Sequence, residues 1–455
     1  MIRRALKKIH KLDLTEGNTA RNIWVLAFPM MLGNILQTAF NMIDMIWVGR
    51  LGPEAIAAVA MSGVVIMVII TLIMGIATGT QSLISRYTGA GNLRQAEAVA
   101  TQTLIIGAIA SVILVGIGLI FARPILQILG AQAEVLQLGT AYLKIILVGG
   151  LVMVYLFLIN SIFRATGDAF TPMLLMVGAT VLNIVLDPLM IFGIGFPRMG
   201  VAGAALATVL SRGIASLVGM YFLLRGFSRL KLSIARFKIN LKIMLQIIKV
   251  GFPNSVHMSL RSIVGLILMA IVARYGSYAI AAYGIGLRVF SVVIMPGFAL
   301  ATSAATLVGQ NLGARKLTRA VTSARQAAGF YTVLMGVAAV AFFIFSPRLI
   351  SIFNTQPEII KLGSEYLKIT CFSYVFIAQG LVLGRALMGA GDTIMPMIIA
   401  AFTLLGIQIP LALLLTNQAQ IGLSGVWWAI LISSVLQGVL TIAWFNRGSW
   451  QLKKI

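Results

Sequence analysis

Apolar stretches of about twenty residues recur along the whole chain and are separated by short polar loops. An α-helix of about this length crosses the hydrocarbon core of a bilayer. The stretches are too long for the strands of a membrane barrel and lack its period-two alternation, so helices remain as the way to satisfy the backbone in lipid. The pattern predicts twelve helices, at about 22–47, 57–84, 98–121, 140–162, 172–194, 201–224, 246–272, 280–307, 327–346, 363–384, 396–416 and 423–445.

The first six predicted helices resemble the last six at a constant spacing of 224 residues. "FPMMLGN" at 28 matches "FPNSVHM" at 252, and "AYLKI" at 141 matches "EYLKI" at 365. "GDAFTPM" at 167 matches "GDTIMPM" at 391, whereas the last two spans shift by two residues. Because the offset contains an even number of helices, both copies enter the membrane from the same side, which defines a parallel repeat.

The repeat predicts an all-α integral membrane protein with twelve transmembrane helices in two six-helix bundles around a central cleft. We expect an N-terminal lobe at 1–224, a basic cytoplasmic linker at 225–245 and a C-terminal lobe at 246–455. Two similar lobes around a cleft suit a transporter that works by alternating access. A monomer is expected.

The composition agrees with a membrane protein, because 60% of the residues are hydrophobic and only 10% are charged. Soluble domains carry about 25% charged residues. No short apolar segment with a cleavage site precedes the first span, so no removable signal peptide is expected. The single cysteine, Cys371, excludes an internal disulfide framework and a cysteine-based metal site.

Basic residues outnumber acidic ones, with a formal net charge of +24, and they concentrate in alternate loops. The basic-rich segments contain Arg3, Arg4, Lys7, Lys8, Lys11 and Arg21, then Arg225, Arg229, Lys231, Arg236, Lys238 and Lys242, then Arg315, Lys316 and Arg319, and finally Arg447, Lys453 and Lys454. Cytoplasmic loops carry such an excess, so both termini are predicted to be cytoplasmic in a multi-pass protein of the plasma (inner) membrane. The charge therefore indicates membrane lipids as partners and no nucleic acid.

Only two of the eleven acidic residues, Asp44 and Asp187, lie clearly within predicted spans. An ionised carboxylate at the centre of a membrane helix costs roughly 2.5–3.5 kcal/mol on insertion scales. The repeat places Leu268 opposite Asp44, and Leu411 or, with the shift, Ile409 opposite Asp187. The fold itself therefore does not need these charges, which indicates a function.

The sequence places both carboxylates among other polar side chains on one helix face and at similar depth. Asp44 and Asp187 lie about six and eight residues from the outer helix ends, roughly 10 Å deep. Asn34, Gln37 and Asn41 precede Asp44 at helical spacing, Asn183 precedes Asp187 by four residues, and Thr208 lies on the next helix. Pro188 frees a backbone carbonyl near Asp187 as a further possible ligand.

A pair of carboxylates in a pocket of low dielectric constant would be relieved by a proton or a monovalent cation. Oxygen ligands from Asp44, Asp187, Asn183 and Thr208 suit a hard ion such as Na⁺ and do not suit a transition metal. The alternative is that the acids pair with buried cations or serve packing. No basic partner in the first lobe is evident at their depth, so we favour a cation site.

Other embedded residues are weaker candidates. Gln37 and Asn160 could line a substrate cavity or form interhelical hydrogen bonds. Arg261, which the repeat aligns with Gln37, lines a cavity or extends to the interface. His257 is expected to be a hydrogen-bonded structural histidine rather than a switch. Pro29 is either a hinge or a fixed bend in the first helix.

No phosphate loop or other ATPase motif appears, so an ion gradient would drive transport and no cofactor is expected. A membrane enzyme is not predicted, since no nucleophile–base pair or metal constellation is visible. A channel would use the carboxylates as a passive filter, but no pore-loop signature is present. The main rival is a lipid or lipid-linked oligosaccharide flippase, which would need a hydrated cavity with several charges.

With these residues in view, the chain resembles the multidrug and toxic compound extrusion (MATE) transporters along its whole length. The similar segments are "FPMMLGNILQTAFNMIDMIWVGRLG" (28–52), "GAGN" (89–92), "FRATGDAFTPM" (163–173), "NIVLDPLMIFGIG" (183–195) and "GVAGAALATVLS" (200–211). The resemblance implies antiport of drugs or other amphipathic, often cationic, compounds against H⁺ or Na⁺. It is greatest to the prokaryotic branch with the cation site in the N-terminal lobe.

The resemblance also implies roles for individual residues. Asp44, Asn183, Asp187 and Thr208 would form the cation site. The residues near the substrate cavity would be Gln37, Phe40, Asn160 and Met176, to which the polar stripe adds Asn34 and Asn41. Phe40 stands where a tyrosine is expected, so a hydroxyl contact there does not carry over. The second lobe lacks embedded carboxylates, so a cation site there does not carry over either.

Overall fold

The computed structural model describes residues 13–453, apart from 132, 196, 228, 234–237 and 418–420. In these ranges eleven helices are long and apolar enough to cross a membrane, and a bent pair provides a twelfth span. The predicted twelve-helix membrane architecture is thereby confirmed. Several basic residues of the topology argument lie outside the described ranges, namely Arg3, Arg4, Lys7, Lys8, Lys11, Arg236 and Lys454.

The helices of the two halves follow one another in the same order. In the first half they are α1 Thr19–Gly49, α2 Pro53–Gly89, α3 Leu93–Ile128, α4 Ala133–Val148, α5 Gly150–Ala165, α6 Phe170–Phe192 and α7 Val201–Arg225. In the second half they are α8 Leu241–Ala273, α9 Ser277–Gly313, α10 Leu317–Ser351, α11 Pro357–Thr370, α12 Tyr374–Gly389, α13 Ile394–Ala401, α14 Ile409–Thr416 and α15 Ser424–Arg447.

The fourth span of each half is interrupted at the same point of the repeat. In the first half α4 and α5 meet at Gly149 with a bend of 50°. In the second half the 3₁₀ turn Cys371–Ser373 separates α11 from α12. The sequence pattern predicted continuous helices here. Hydropathy averages over a window and is insensitive to a local break such as the Gly149–Gly150 pair.

The chain forms two compact units whose boundaries fall inside two long helices. Of the described residues, the first unit comprises Asp13 and those of 28–252, and the second comprises those of 14–27 and 253–453. The division therefore falls next to Pro29 in α1 and at Pro253 in α8. The lobes predicted from the sequence ended at 224 and began at 246, whereas here the start of α8 belongs to the first unit.

Hydrogen bonds hold the described part of the predicted linker against α3 within the first unit. The Gln102 side-chain amide donates to the Lys238 carbonyl at 2.7 Å and accepts from the Asn240 N–H at 3.0 Å. The Ser233 N–H donates to Glu97 Oε1 at 3.0 Å. These contacts fix the linker and the start of α8 on the first unit.

The backbones of α2 and α8 touch within the first unit because both helices carry glycine at the crossing. A Cβ atom at Gly251 would collide with the backbone carbonyl of Gly75, and one at Gly79 with that of Ile247. Neither obstacle is a side chain that could rotate away. Small residues allow such close approach between membrane helices.

We expect Gly251→Ala to lower the melting temperature of the detergent-solubilised protein, because overpacking costs roughly 1–3 kcal/mol. Gly265→Ala is the matched control on the same helix, since a Cβ there meets nothing within 4 Å. Melting curves followed by intrinsic tryptophan fluorescence, without a thiol-reactive dye, compare both variants with the parent. Equal melting temperatures for the two variants would contradict a backbone contact at Gly251.

Candidate functional site

Three helices of the first unit bring the predicted cation ligands into one buried region. Asp44 comes from α1, Asn183 and Asp187 from α6, and Thr208 from α7. All four are buried, and Asp187 has no exposed surface. Asp44 and Asp187 are close enough for their charges to repel. The two residues are called the carboxylate pair below.

Several buried oxygens of this region have no hydrogen-bond donor within the described residues. Asn183 Nδ2 donates to Asp187 Oδ1 at 2.8 Å, which leaves Asp187 Oδ2 without a partner. Asp44 Oδ1, Asn183 Oδ1 and the Thr208 hydroxyl are also buried without a partner in the described chain. A buried polar atom that stays unpaired costs about 1–3 kcal/mol, and more when charged. The site is therefore suited to take up a proton or a small cation.

Two other buried aspartates, Asp168 and Asp392, have carboxylates that accept hydrogen bonds from the protein. Asp168 accepts hydrogen bonds from the Thr171 N–H at 2.9 Å and the Thr171 hydroxyl at 2.6 Å. Its repeat counterpart Asp392 accepts from Trp444 Nε1 at 2.9 Å and from Lys453 Nζ at 2.6 Å. Each of these aspartates is satisfied by local hydrogen bonds, and there is one in each half at the same position of the repeat. The carboxylate pair has neither property.

The expectation that the first lobe offers no basic partner is wrong. Arg212, one turn beyond Thr208 on α7, is buried and attracts the charge of Asp44. Its guanidinium lies 4.8 Å from the ring centre of Phe40. The described residues contain no N–O contact within 4 Å between Arg212 and Asp44. Arg212 therefore compensates part of the charge without closing an ion pair.

Two further side chains belong to the site and were not anticipated. Thr180 precedes Asn183 and Asp187 by three and seven residues, so it shares their face of α6. Its hydroxyl is buried without a hydrogen-bond partner in the described chain. Tyr142 of α4 is buried within electrostatic range of both carboxylates and of Arg212. The helical spacing could have revealed Thr180, whereas Tyr142 gives no signal in the sequence.

An apolar layer covers one side of the carboxylate pair. Val48, Ile191 and Ala204 lie one turn beyond Asp44, one turn beyond Asp187 and one turn before Thr208, all towards the same helix ends. All three are fully buried in one hydrophobic cluster, which Tyr142 also joins. The layer thus separates the ligands from the end of the bundle where α1 and α6 finish.

The predicted substrate residues are distributed over several environments of the first unit. Gln37 Nε2 donates to Asn41 Oδ1 at 3.1 Å on the exposed part of the polar stripe, and the Asn34 carbonyl accepts from Thr38. Phe40 and Met176 are buried, and Asn160 Oδ1 is buried without a partner in the described chain. A substrate role for these residues stays a prediction.

The second half has no equivalent of the carboxylate pair. Leu268, opposite Asp44, is buried. The helix carrying Asp187 ends at Phe192, and its counterpart ends at Thr416, again 224 residues later. The two-residue shift therefore lies in the following loop, so the counterpart of Asp187 is Leu411 and not Ile409.

The charges of the site set its ligand chemistry. Two ionised carboxylates and one guanidinium leave a net charge of −1, which one monovalent cation neutralises. The other candidate ligands are neutral oxygens of Asn183, Thr180 and Thr208, which suit a proton or Na⁺. No group of three His, Cys, Asp or Glu side chains comes together in the described part of the chain.

The chain is similar to known proteins over most of its length. A family model described as MatE matches residues 29–189 and 253–414, one stretch in each half. The chain is 29% identical over 451 residues to the probable multidrug resistance protein YoeA of Bacillus subtilis, covering 97% of each. It is 29% identical over 438 residues to the probable multidrug resistance protein NorM of Thermotoga maritima, covering 94% of this chain and 93% of the relative. A crystal structure of a MATE in the bent conformation matches with a TM-score of 0.90 at 29% identity, covering 96% of both chains.

Proposed function

The chain belongs to the MatE family of membrane transporters, and we propose that it is an antiporter that exports amphipathic organic compounds in exchange for one H⁺ or Na⁺. Multidrug resistance proteins among its relatives support export of such compounds. The observation that supports the ion coupling is the carboxylate pair, in which one oxygen of each residue is buried without a partner in the described chain and whose neighbourhood has a net charge of −1.

In the proposed cycle, the outward-facing protein takes up one cation at Asp44 and Asp187. Loading neutralises the pocket and removes the repulsion between the two carboxylates. The first helix then repacks or bends near Pro29, and the substrate is released outward. The ion-loaded protein turns inward, loses the ion to the cytoplasm and binds new substrate. Ion and substrate thus weaken each other's binding, which is a negative coupling.

The proposal places the protein in the plasma (inner) membrane with both termini in the cytoplasm, following the distribution of Lys and Arg. The described end of the chain is basic as well, since Arg447 ends the last span and Lys453 follows it. We propose that the monomer is the transporting unit, because the carboxylate pair and its neighbours all come from one unit of one chain.

Transport in proteoliposomes tests the proposal and identifies the ion. A pH gradient and a Na⁺ gradient are imposed in separate experiments, each directed so that the ion leaves the vesicle as substrate enters. We expect one of the two to drive uptake of ethidium, a fluorescent organic cation. The coupling ion is the one whose gradient suffices, and an ionophore that dissipates it should abolish uptake. Uptake that is equal with and without both gradients would contradict antiport.

A further inference from the structure

A cavity with several polar side chains in its lining lies inside the second unit, remote in sequence from the carboxylate pair. It is partly open and not fully enclosed. Residues of α8, α9, α12 and α15 line it, with Pro396 of α13 at its edge. Its polar lining consists of His257, Arg261, Arg385, Ser434, Gln437 and Thr441.

The lining of this cavity is basic. Arg261 and Arg385 are close enough for their positive charges to repel, and His257 lies within electrostatic range of both. None of the side chains that line the cavity is acidic. Bringing two guanidinium groups together in a membrane interior is costly, so the arrangement is typical of a site that receives a negative charge.

Arg261 and His257 have hydrogen-bonding groups that no described residue satisfies. Arg261 forms no hydrogen bond or ion pair with the part of the chain that the structure describes. Both ring nitrogens of His257 are buried without a partner in the same described ranges. The expectation that His257 is a hydrogen-bonded structural histidine is therefore wrong. A ligand with several acceptor oxygens would satisfy all of these donors.

The acidic residues of the second unit lie elsewhere. Those that the structure describes are Glu16, Glu358, Glu365 and Asp392. Asp392 binds Lys453 and Trp444, and the Ser424 hydroxyl donates to Glu365 at 2.5 Å. The partners of Asp392 and Glu365 in these contacts do not line the cavity. No acidic side chain in the described part of the second unit therefore lines the cavity and balances its positive charge.

The repeat shows that this charge is peculiar to the second half. Arg261 corresponds to Gln37, and Arg385 corresponds to Ser161. Both counterparts are neutral, so the architecture of a six-helix bundle does not require arginine at either position. The two halves therefore carry opposite charges on one scaffold, acidic in the first and basic in the second.

We propose that the cavity of the second unit binds the phosphate group of an amphipathic phosphorylated compound. Arg261 and Arg385 supply planar pairs of donors, which match phosphate oxygens in a bidentate manner, and His257 adds a further donor. A phosphate monoester carries a charge of about −1.5 to −2 at neutral pH, which balances two guanidinium groups. Binding stands independently of ion coupling, whereas export of the bound compound rests on the proposed antiport.

A matched pair of water-soluble fluorescent probes tests the site. Riboflavin 5′-phosphate and riboflavin differ only by the phosphate, and their fluorescence anisotropy reports binding to the purified protein in detergent. We expect the phosphorylated probe to bind roughly tenfold or more tightly than riboflavin, as expected for hydrogen bonds to a charged group. Arg261→Gln, which installs the first-half residue, should remove this preference. Arg261→Lys should retain only part of it, because the charge stays and the bidentate geometry is lost.

A second arm uses lipids, because a headgroup presents the same chemistry. Phosphatidic acid and diacylglycerol that carry the same fluorophore on one acyl chain form the matched pair. Preference for the phosphorylated member in the soluble arm alone identifies a free phosphate compound, and preference in the lipid arm alone identifies a headgroup. Either result supports the site if Arg261→Gln abolishes it.

Control variants and transport separate the possible failures. Arg348→Gln removes an exposed arginine that does not line the cavity and should leave both preferences unchanged. If the parent protein shows no preference for phosphate in either arm, or if Arg261→Gln melts like the parent and keeps the preference, the inference is overturned. If the preference is present but no ion gradient drives transport, the site stands and the proposed antiport fails.

Discussion

Replacing Asp44 with asparagine should reduce gradient-driven export of ethidium roughly tenfold or more, because coupling free energies of 1–3 kcal/mol correspond to about 5–150-fold. The amide cannot gain or lose a proton and contributes no charge to attract Na⁺. Ethidium should bind the purified variant more weakly than the parent, since the substitution leaves the pocket permanently close to its ion-loaded charge and ion loading weakens substrate binding. Efflux from cells or everted vesicles measures the first expectation, and fluorescence titration measures the second.

Glu54→Gln provides the control for this substitution, because Glu54 is an exposed acid at the start of the next helix. It should export ethidium as the parent protein does. Melting curves of both variants show whether lost transport reflects lost folding. Full gradient-driven export by a well-folded Asp44→Asn protein would rule out the carboxylate pair as the coupling site.

Replacing Arg212 with glutamine should make the pocket hold its cation more tightly. The guanidinium favours the ionised form of Asp44, so its removal favours the protonated or Na⁺-loaded form. For a proton-coupled protein, the pH at half-maximal ethidium export should rise by about one unit. For a sodium-coupled protein, the Na⁺ concentration that half-saturates binding should fall about tenfold. Turnover should drop in both cases, because release of the ion to the cytoplasm becomes slow.

A second arginine of the first unit offers a matched control. Arg50 also stacks on an aromatic ring, with its guanidinium 4.6 Å from the ring centre of Trp47, but it is exposed and lies near a helix end. Arg50→Gln should leave the pH or Na⁺ dependence unchanged. The proposed charge balance would be contradicted if the Arg212→Gln protein showed the same pH or Na⁺ dependence of ethidium export as the parent. A shift of the pH dependence towards lower pH would also contradict it.

The membrane architecture was predictable from the sequence because long apolar stretches are an unambiguous signal. The repeat added the grouping of the helices, since whole segments such as "EYLKI" recur at a fixed spacing. The interruptions of the helices were not predictable in the same way. The π-helical segment Phe402–Gln408 and the break at Gly149 occupy residues whose hydropathy resembles that of any other span.

The site was partly predictable for a related reason. A carboxylate within an apolar stretch is rare, so Asp44 and Asp187 were conspicuous, and helical spacing added Asn183. Arg385 was missed because an arginine at the end of a predicted span usually extends to the membrane surface. Arg212 lies in the middle of α7, so its position within an apolar span could have indicated it. The sequence does not state which way such a side chain points, and only the packing of several helices decides it.

The apolar layer of Val48, Ile191 and Ala204 has a consequence for the energy supply of the cell. Buried carboxylates connected to water from both sides would form a leak, and ions would return without any compound leaving. The layer consists of a few methyl groups and blocks that route on one side. In the proposed antiport, the exchange ratio between ion and cargo therefore depends on how completely these three side chains exclude water. A leak through them would appear as lost membrane potential with no cargo present.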